Sequence, residues 1–591
     1  MRKIWKKIGW MVVLPAAAWG EGIPYSVQFE GMDDPQALKT LRSLSQLVAL
    51  RKKEPASLNA LRFRAESDIP GLIKALQALG YFEAEIDVTI EEDHFDYCVI
   101  LQIHPGPLYR IASLSVHLKG SISSSAFSPK EIECEGLCLE IGDPANTQKI
   151  LDSELSALNL LSERGYPLAT IEGREIIADG KTKTVAITLR LDTGPLSHFG
   201  VTSIEGNISV KEELIKKKIA WQHGERYNSS LVDRTQQALM ETGLFSSAFI
   251  THGKTLNELE ELPLKLEVAE TKHKSISLGA SFQTTFGGGA SLGWENRNVG
   301  GMGRRFSFQA DIAQRSHSGL ISYLIPDLYK EGQSYMVLAQ AFHETIKPYH
   351  LQSYSVLNRF DWQVDPTFFF SFGGKLEYLM VTSSVDNGNF LLFEAPLTFR
   401  WTNVHDFLNP SGGARLDYRA VPTVNIKDAS DYYYRQQLSF ATYLPIWGED
   451  RLILAQRITI GSIFSNGLGS VPVPKRFFGG SEEHLRGYKF YTVSPLNEDD
   501  KPIGGRSAVF YTVEPRFRFG QCFGIVPFFD LGNVYLDQLP NWKGKWRKSA
   551  GIGLRYYSFL GPLRLDLAFP LNRREGIDPH WWIFVSLGQT F

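Results

Sequence analysis

Residues 561–569 read Gly561-Pro562-Leu563-Arg564-Leu565-Asp566-Leu567-Ala568-Phe569. Large apolar residues occupy every second position of this stretch, and an arginine and an aspartate stand between them. Because successive side chains of a β-strand point to opposite faces, the period of two predicts a strand with one apolar and one polar face. The same alternation recurs at residues 306–312. Soluble β-sandwiches alternate in the same way, so alternation alone predicts an all-β region without placing it in water or in lipid.

The distribution of aromatic residues separates these alternatives. The chain has 37 Phe, 23 Tyr and 12 Trp, of which only 18 lie in residues 1–274 and 54 lie in residues 275–591. Membrane-spanning barrels carry aromatic girdles at both interfaces, and each spanning strand needs about 9–11 residues. At about twenty residues per strand with its connection, this part accommodates about 16 strands. We therefore predict an all-β transmembrane barrel of about 16 antiparallel strands over residues 273–591.

The last residues of the chain support a barrel strand. In the segment Trp582–Phe591, alternation places Ile583, Val585, Leu587 and Phe591 on one face. A strand that ends on an aromatic residue resembles the insertion signal of outer-membrane proteins. The resemblance implies that this signal comprises Val585, Leu587, Gly588 and Phe591.

The amino terminus predicts export. Four basic residues, Arg2, Lys3, Lys6 and Lys7, precede an apolar run that ends at Ala16–Ala18. This run is shorter than the ~20 residues of a spanning helix, and the small residues after it suit a signal peptidase. We assign residues 1–20 to a signal peptide. In an oxidising periplasm Cys134 and Cys138 can form a local disulfide, although free thiols fit the sequence nearly as well.

Residues 24–272 contain a repeated unit. A helical pattern ends in a glycine three times, at Gly80, Gly165 and Gly243, and an alternating strand follows each glycine. A short strand that closes on glycine opens each unit. The order is therefore strand, two helices and two strands, repeated over residues 24–108, 109–195 and 196–272.

This arrangement resembles the POTRA domain, the periplasmic module of outer-membrane assembly proteins and secretion transporters. In that family a sheet edge accepts a strand from a client or a partner, since an exposed edge presents unpaired N–H and C=O groups. A tandem of structural spacers is the alternative for the two outer units. The implied fold is α+β POTRA repeats followed by the all-β barrel.

A second motif lies in the predicted barrel, at residues 477–488. Its end, Leu485-Arg486-Gly487-Tyr488, resembles the sixth extracellular loop of the BamA/TamA outer-membrane assembly superfamily, with leucine where the family has valine or isoleucine. In the family this loop folds into the lumen and its arginine meets acidic and aromatic groups on the barrel wall. Phe529–Val534 matches the accompanying strand motif, so the resemblance names Asp530 as the partner of Arg486. Such a charge inside a lumen needs a partner.

Three repeats and one barrel are similar to the TamA-like members of this superfamily. The resemblance implies that the protein inserts or secretes outer-membrane proteins such as autotransporters, with a TamB-like inner-membrane-anchored partner. It also implies a weakly paired seam between the first and last strands, next to membrane lipid. We assign Ser275, Leu278, Gly279, Gly287 and Gly288 to the first strand of that seam, because glycine weakens strand packing. The expected location is the outer membrane, with the repeats in the periplasm.

Other classes of function are disfavoured. The net charge of −2 gives no indication of nucleic-acid binding. Neither the Ser481–His484 segment nor His343-Glu344 completes a hydrolase or zinc motif, so we expect no enzymatic activity, no metal and no cofactor. A two-partner secretion transporter that exports one exoprotein, or a passive pore, remains the alternative function.

Overall fold

The computed structural model describes residues 22–93, 96–120, 137, 139–283, 286–384, 387–448, 450–558 and 561–591. The predicted signal peptide and the two cysteines Cys134 and Cys138 lie outside these ranges. The described chain forms two compact units. The first comprises the described residues up to Glu205 with Ile219–Gln237 and Phe249–Glu267, and the second comprises Gly206–Lys218, Ala238–Ala248 and Val268–Phe591. None of the helices in the described ranges is long and apolar enough to cross a membrane.

Three small sheets precede a large one, as predicted. In each small sheet the last strand lies in the middle and pairs in parallel with the first. The strands are β1 (Tyr25–Glu30), β2 (Glu85–Asp93), β3 (Asp96–His104), β4 (Arg110–Lys119), β5 (Thr170–Asp179), β6 (Thr184–Asp192), β7 (His198–Glu205), β8 (Phe245–His252) and β9 (Glu261–Glu270). The described helices between them are Pro35–Leu44, Gln46–Ala49, Leu58–Ala78, Thr147–Glu163, Glu212–Lys218 and Ser229–Glu241.

Helical and alternating patterns meet in the core of each small domain. In the first, Leu61, Leu72 and Leu76 lie on one face of the helix Leu58–Ala78 and are buried with Val99 and Leu101 of β3. Burying a leucine or valine side chain contributes about 1.5–3 kcal/mol, so this interface accounts for much of the stability of the domain. The matching of the 3.6-residue and two-residue periods is what made the repeats visible in the sequence.

The first predicted helix of this domain is two helices, because Ser45 ends one and begins the next. Its hydroxyl accepts a hydrogen bond from Val48 N–H. The buried carboxylate of Asp68 accepts hydrogen bonds from Ser45 Oγ at 2.6 Å and from Gln46 N–H at 3.0 Å. These groups at a helix start lack intrahelical partners, so a carboxylate on a neighbouring helix stabilises the break.

Residues 274–587 form one antiparallel sheet in which consecutive strands are neighbours. Its strands are β10 (Lys274–Gln283), β11 (Gly287–Val299), β12 (Arg304–Ala313), β13 (Ser316–Ile325), β14 (Gln333–Thr345), β15 (Tyr349–Gln363), β16 (Phe368–Ser383), β17 (Asn387–Glu394), β18 (Leu397–Thr402), β19 (Gly413–Asn425), β20 (Tyr432–Trp447), β21 (Leu452–Ser465), β22 (Ser507–Phe519), β23 (Phe523–Tyr535), β24 (Arg547–Ser558), β25 (Gly561–Pro570) and β26 (Trp582–Leu587).

The seventeen strands occupy sixteen positions around the barrel, because β17 and β18 share one position. Both pair with β16 on one side and with β19 on the other, so they are two parts of one interrupted strand. The interruption falls at Ala395 and Pro396, where proline lacks the N–H that a ladder requires. The count of about 16 antiparallel strands is thus confirmed.

Side chains of the sheet alternate as a membrane barrel requires. In β25, Leu563 and Leu565 are 48% and 44% exposed, whereas Asp566, the next residue of the same strand, is 0% exposed. Apolar side chains therefore face outward and charged side chains face the lumen, the reverse of a soluble domain. The alternating stretch Gly561–Phe569 is therefore one strand of the barrel wall.

Two sequence assignments are corrected at the ends of the barrel. Gly287 and Gly288 lie on the second strand, β11, because the chain reverses before Gly287, whose φ of +83° favours glycine. Ser275, Leu278 and Gly279 lie on β10 as predicted. The last strand ends at Leu587, and a turn at Gly588, with φ of +88°, takes Phe591 off the face that carries Val585.

Candidate functional site

The longest connection of the barrel, residues 466–506, joins β21 to β22 and is the sixth at its end of the barrel. We call it the lumen loop, because its central residues are buried within the wall of strands. Phe477, Leu485 and Tyr488 pack with Ile463 of β21 and Phe510 of β22. The sequence motif therefore lies in the interior of the barrel.

Arg486 makes the two-pronged contact with Asp530 that the resemblance implied. Its Nε donates to Asp530 Oδ2 at 3.0 Å, and its Nη2 donates to Oδ1 at 2.8 Å. The backbone N–H of Arg486 also donates to Asp530 Oδ2 at 3.0 Å. Each side chain is 1% exposed. A bidentate, charge-assisted pair of this kind fixes direction as well as distance.

Two further carboxylates share the same guanidinium. Arg486 Nη1 lies 2.7 Å from Glu514 Oε1 on β22 and 3.0 Å from Asp566 Oδ2 on β25. The face of the guanidinium lies over the ring of Phe528, 3.5 Å from its centroid. The arginine thus joins three strands of the wall, and the free energy of burying its charge is offset by three anions and one aromatic ring.

Sequence reasoning missed Glu514 and Asp566, although a signal for Asp566 was present. Asp566 stands at a lumen position of the alternating stretch 561–569. A carboxylate on the inner face of a late barrel strand needs a cation, and the buried Arg486 is within reach. Glu514 lies in a similar position beside Arg516, whose Nη2 is 2.9 Å from Glu514 Oε2.

Arg486 and its partners belong to a larger connected set of charged side chains. The other pairs are Arg555 with Asp566 at 2.5 Å and Arg564 with Glu482 of the lumen loop at 3.0 Å. Together with the contacts above, four guanidinium groups are linked to four carboxylates. We call it the arginine network; its members are Arg486, Arg516, Arg555, Arg564, Glu482, Glu514, Asp530 and Asp566.

The other three motif residues hold Arg486 in place. Leu485 has φ of +58° and is buried, and Gly487 has φ of +91°. A Cβ built on Gly487 meets the backbone of Ala568 and Phe569 at 3.2 Å, so only glycine allows this close approach. The hydroxyl of Tyr488 donates to the carbonyl of Lys548 at 2.9 Å.

The lumen loop has a second anchor, which the sequence did not reveal. Lys475 Nζ lies 2.5 Å from Glu377 Oε2 on β16 and 2.7 Å from Glu394 Oε1 on β17. Lys375 lies 2.9 Å from Glu377, and Ser353 Oγ donates to Glu377 at 2.7 Å. Because Lys475 is anchored on middle strands and Arg486 on late strands, the loop extends across the lumen as a strap.

The chain end joins the arginine network. Thr590 Oγ1 donates to Glu514 Oε1 at 2.9 Å, and Arg564 Nη1 donates to Thr590 Oγ1 at 2.7 Å. The ring of Phe591 packs against Tyr443, and the guanidinium of Arg457 lies 4.7 Å from its centroid. Phe591 therefore faces the lumen, while Val585 is 45% exposed on the outer face.

The predicted seam lies between β10 and β26. Some Cα atoms of the two strands lie within 8 Å of each other, but in the described residues the strands are not paired by backbone hydrogen bonds. On β10, Ile276 and Leu278 are 73% and 81% exposed, and β10 and β26 are the two strands of the sheet that have a paired neighbour on one side only. The two edges of the sheet thus face each other with few contacts.

His484, the histidine near Ser481 in the lumen loop, is held by packing and backbone contacts. The ring of His484 stacks on Phe510 at 4.5 Å, and the contact of His484 with Ser481 is made by its backbone N–H. The described residues hold no group of three His, Cys, Asp or Glu side chains arranged for a metal. The geometry is that of a pinned loop in a lumen beside an unpaired edge.

Comparisons with known proteins agree with this geometry. Residues 298–591 match the Omp85 superfamily domain, and residues 198–271 match the POTRA repeat described as "Surface antigen variable number repeat". Two relatives named "Outer membrane protein assembly factor BamA" are similar over 87% of this chain: that of Nitratidesulfovibrio vulgaris is 23% identical over 66% of its length, and that of Neisseria meningitidis serogroup B is 21% identical over 71%.

The chain spans about two-thirds of the length of these curated relatives. Among solved structures, BamA from Haemophilus ducreyi lacking POTRA domains 1–3 has a TM-score of 0.70 with 18% identity, covering 81% of this chain and 100% of that one. The similarity at this identity concerns the fold.

Proposed function

We propose that this chain, whose residues 298–591 match the Omp85 superfamily domain and whose residues 198–271 match a POTRA repeat, inserts β-barrel proteins into the outer membrane, with its barrel in that membrane and its POTRA domains in the periplasm. The observation that carries this proposal is that the edge strands β10 and β26 lie next to each other without a ladder of hydrogen bonds between them in the described residues. An edge strand presents free N–H and C=O groups, and an extended client segment can add to it.

The barrel strands are shortest at the seam, which favours the seam as the place where client strands enter the membrane. Strand β26 has six residues and β10 has ten, whereas β15 and β16 have 15 and 16. At about 3.4 Å per residue, β26 extends only about 20 Å. A spanning surface shorter than the hydrocarbon core thins the adjacent bilayer, so client strands entering beside the seam cross less lipid.

The finer assignment is a TamA-like subunit whose clients include autotransporters and whose periplasmic repeats contact a TamB-like, inner-membrane-anchored partner. The number of POTRA-like repeats, three, supports it, whereas the motif around Arg486 is common to the superfamily. Quantifying outer-membrane proteins after depletion of this protein tests it: selective loss of autotransporters agrees, and loss of all barrel proteins alike points to a general BamA-like role.

A cross-linking experiment tests the seam. In a chain with Cys98, Cys134, Cys138 and Cys522 replaced by serine, a cysteine at Ala280 of β10 is combined with cysteines along β26. We expect oxidation of the seam pair to stop client insertion and reduction to restore it.

The matched control uses the same β10 cysteine. Ala280 and Ala290 face each other across the existing β10–β11 ladder, so A280C/A290C locks strands that are already paired. This disulfide leaves insertion intact if the seam is the active element. Full insertion with the seam pair oxidised contradicts the proposal and favours an exoprotein transporter or a pore. Conductance measured with the lumen loop deleted then separates those two.

A further inference from the structure

A connection between two middle strands of the barrel reaches the residues that follow its last strand. Residues 403–412 join β18 to β19 at the end of the wall where β10 begins, opposite to the end that carries the connection 466–506. We call residues 403–412 the mouth loop, and we call residues 588–591, which follow β26, the tail. The order of the strands keeps β18 and β19 far from β26 in the sheet. The mouth loop therefore links parts of the wall that strand pairing does not join.

The tail is hydrogen-bonded to the mouth loop through backbone and side-chain groups. The N–H of Gln589 donates to the carbonyl of Leu408 at 3.0 Å. Its side-chain Nε2 donates to Asn409 Oδ1 at 3.2 Å. A Cβ built on Gly588 would lie 3.6 Å from Leu408 Cδ2, so the backbone of the tail is in van der Waals range of that side chain. Neighbouring residues of the mouth loop thus contact neighbouring residues of the tail.

Apolar packing extends these contacts to both sides of Gln589. Val404 of the mouth loop is buried in one cluster with Tyr443, and Phe591 packs against that cluster. A Cβ built on Gly561, the first residue of β25, would lie 3.7 Å from Leu408 Cβ. The mouth loop therefore contacts the start of β25 as well as the residues after β26.

The shape of the mouth loop is set by its own hydrogen bonds. Asp406 Oδ1 accepts from the N–H of Leu408 at 2.8 Å and from that of Asn409 at 3.1 Å. At the base of the loop, Asn403 Oδ1 accepts from the N–H of Ala414 at 2.6 Å. Side-chain acceptors of this kind stabilise a turn locally. The loop can therefore keep its conformation when the tail is absent, and release of the tail need not unfold it.

The opposite side of Gln589 is bound to the barrel wall. Its Oε1 accepts a hydrogen bond from Arg555 Nε at 2.9 Å, and Arg555 also pairs with Asp566 of β25. One side chain thus connects the mouth loop to the arginine network. Because the amide of Gln589 uses its oxygen on one side and its nitrogen on the other, a change at either partner alters the position of the tail.

Strand β26 depends on these contacts more than other strands do. It has six residues and is paired only with β25. We propose that the mouth loop is a latch, which holds the tail and with it β26 in the closed position and releases Gln589 before the seam admits a client strand. This inference rests on the proposed function of the seam and adds the regulation of that site.

Hydrogen exchange without any client tests whether the latch holds β26. In nanodiscs, Asn409→Ala should make the amides of residues 582–589 exchange about two- to tenfold faster, since one side-chain hydrogen bond is lost. Adding N409A to Gln589→Ala should produce no further increase, because the same contact is already absent. Gln521→Ala removes an exposed amide from another connection at the same end of the barrel and should leave this exchange unchanged.

A reversible cross-link tests whether the latch must open. In the chain with its four native cysteines replaced by serine, N409C and Q589C are joined by a short reducible bis-thiol reagent. We expect client insertion to slow at least about tenfold and to recover on reduction, because a step that must open is blocked. The control is F519C/F523C at the same end of the barrel, since these residues already face each other across the β22–β23 ladder.

The seam pair of β10 and β26, oxidised in the same assay, separates the two proposals. Insertion that continues with the seam pair oxidised overturns the proposed function and the latch with it. If the seam pair stops insertion but cross-linked N409C/Q589C inserts clients at the rate of the F519C/F523C control, the contact is a static brace and the latch alone is overturned. The latch is also overturned if N409A leaves the exchange of residues 582–589 equal to that of Q521A.

Discussion

Arg486 of the lumen loop and Glu514 of β22 form a buried ion pair, with 2.7 Å between Nη1 and Oε1 and neither side chain more than 1% exposed. Removing one member of such a pair leaves an uncompensated charge, which costs more than the pair itself contributes. Because Arg486 also contacts Asp530 and Asp566, its loss leaves three carboxylates without their shared partner. Loss of any one of these carboxylates leaves Arg486 with two anionic partners.

Arg486→Ala should therefore destabilise the barrel by about 3–5 kcal/mol and lower assembly activity. Asp530→Ala should cost less, and the double variant should not be additive, with a coupling energy of about 0.5–3 kcal/mol. Urea unfolding of the protein reconstituted in vesicles measures both. Additive losses would reject the pairing.

Arg518→Ala is the control for that cycle. Arg518 pairs with Asp450 at 2.6 Å, but the two side chains are 23% and 49% exposed, so its loss should cost about 0–1 kcal/mol.

Lys475→Met should release the second end of the strap. Glu377 and Glu394 then keep Lys375 as a cationic partner but lose their link to the loop, so we expect the lumen loop to be cut faster by protease added from outside the vesicle, with the barrel still folded. Limited proteolysis followed by mass spectrometry locates the cuts within residues 466–506.

Lys501→Met provides the comparison within the same loop. Lys501 is 54% exposed and lies 3.9 Å from Asp499, so its loss should leave the cleavage rate unchanged. Equal protection of K475M and the unmodified protein would show that Lys475 is not an anchor.

Glu270, at the end of β9, binds the turn at residues 208–210 that precedes the helix Glu212–Lys218, and we expect acid to loosen this turn. Burial tends to raise the pKa of Glu270, but hydrogen bonds from Ser209 Oγ and from the N–H groups of residues 208–210 outweigh it and lower the pKa to about 2. A carboxyl pKa below its unfolded value of about 4.3 stabilises the folded state above about pH 5, and this contribution is lost as pH falls towards 2.

Hydrogen exchange of residues 206–212, corrected for intrinsic rates, measures this effect. We expect protection to fall between pH 6 and pH 3 in the unmodified protein. Glu270→Gln should show low protection at both pH values, while Glu267→Gln, at an exposed position of the same strand, should keep the original profile. Protection that does not change with pH in the unmodified protein would exclude the linkage.

The chain end offers a test of the insertion signal. Val585 faces outward and Phe591 faces the lumen, so the two residues act through different surroundings. If insertion is read from the outward face, Val585→Asp should lower the surface level strongly, because a charge on the lipid face is costly.

Phe591→Ala should lower mainly thermal stability, by roughly the 0.5–2 kcal/mol of a cation–π contact. Surface labelling and heat-dependent gel migration separate the two effects. A strong loss of surface protein for F591A with a normal level for V585D would instead place the signal in the terminal residue.

Patterns that depend on period were readable from the sequence, and contacts across the lumen were not. The alternation at 561–569 and the spacing of Gly80, Gly165 and Gly243 reflect local geometry, so the repeats and the sixteen-stranded barrel could be predicted. The Arg486 motif led to Asp530 only through a family resemblance. Lys475 and Glu377 are 98 residues apart, and nothing in their local sequence brings them together.

Two assignments failed because one residue changes the direction of the chain. Positive φ at Gly287 moves the glycine run from the first strand to the second, and positive φ at Gly588 turns Phe591 inward. A strand pattern extended across such a glycine places later residues on the wrong face.

The lumen loop also constrains the order of folding. Arg486 contacts Asp566, 80 residues later, and Thr590, 104 residues later, so two of its partners lie far downstream in the chain. Contacts of such long sequence separation form slowly, because the entropy of ordering the intervening chain is lost before they contribute. These contacts cannot form until β25 and the residues after β26 are present. We therefore expect the packing of the loop against Asp566 and Thr590 to follow the pairing of neighbouring strands.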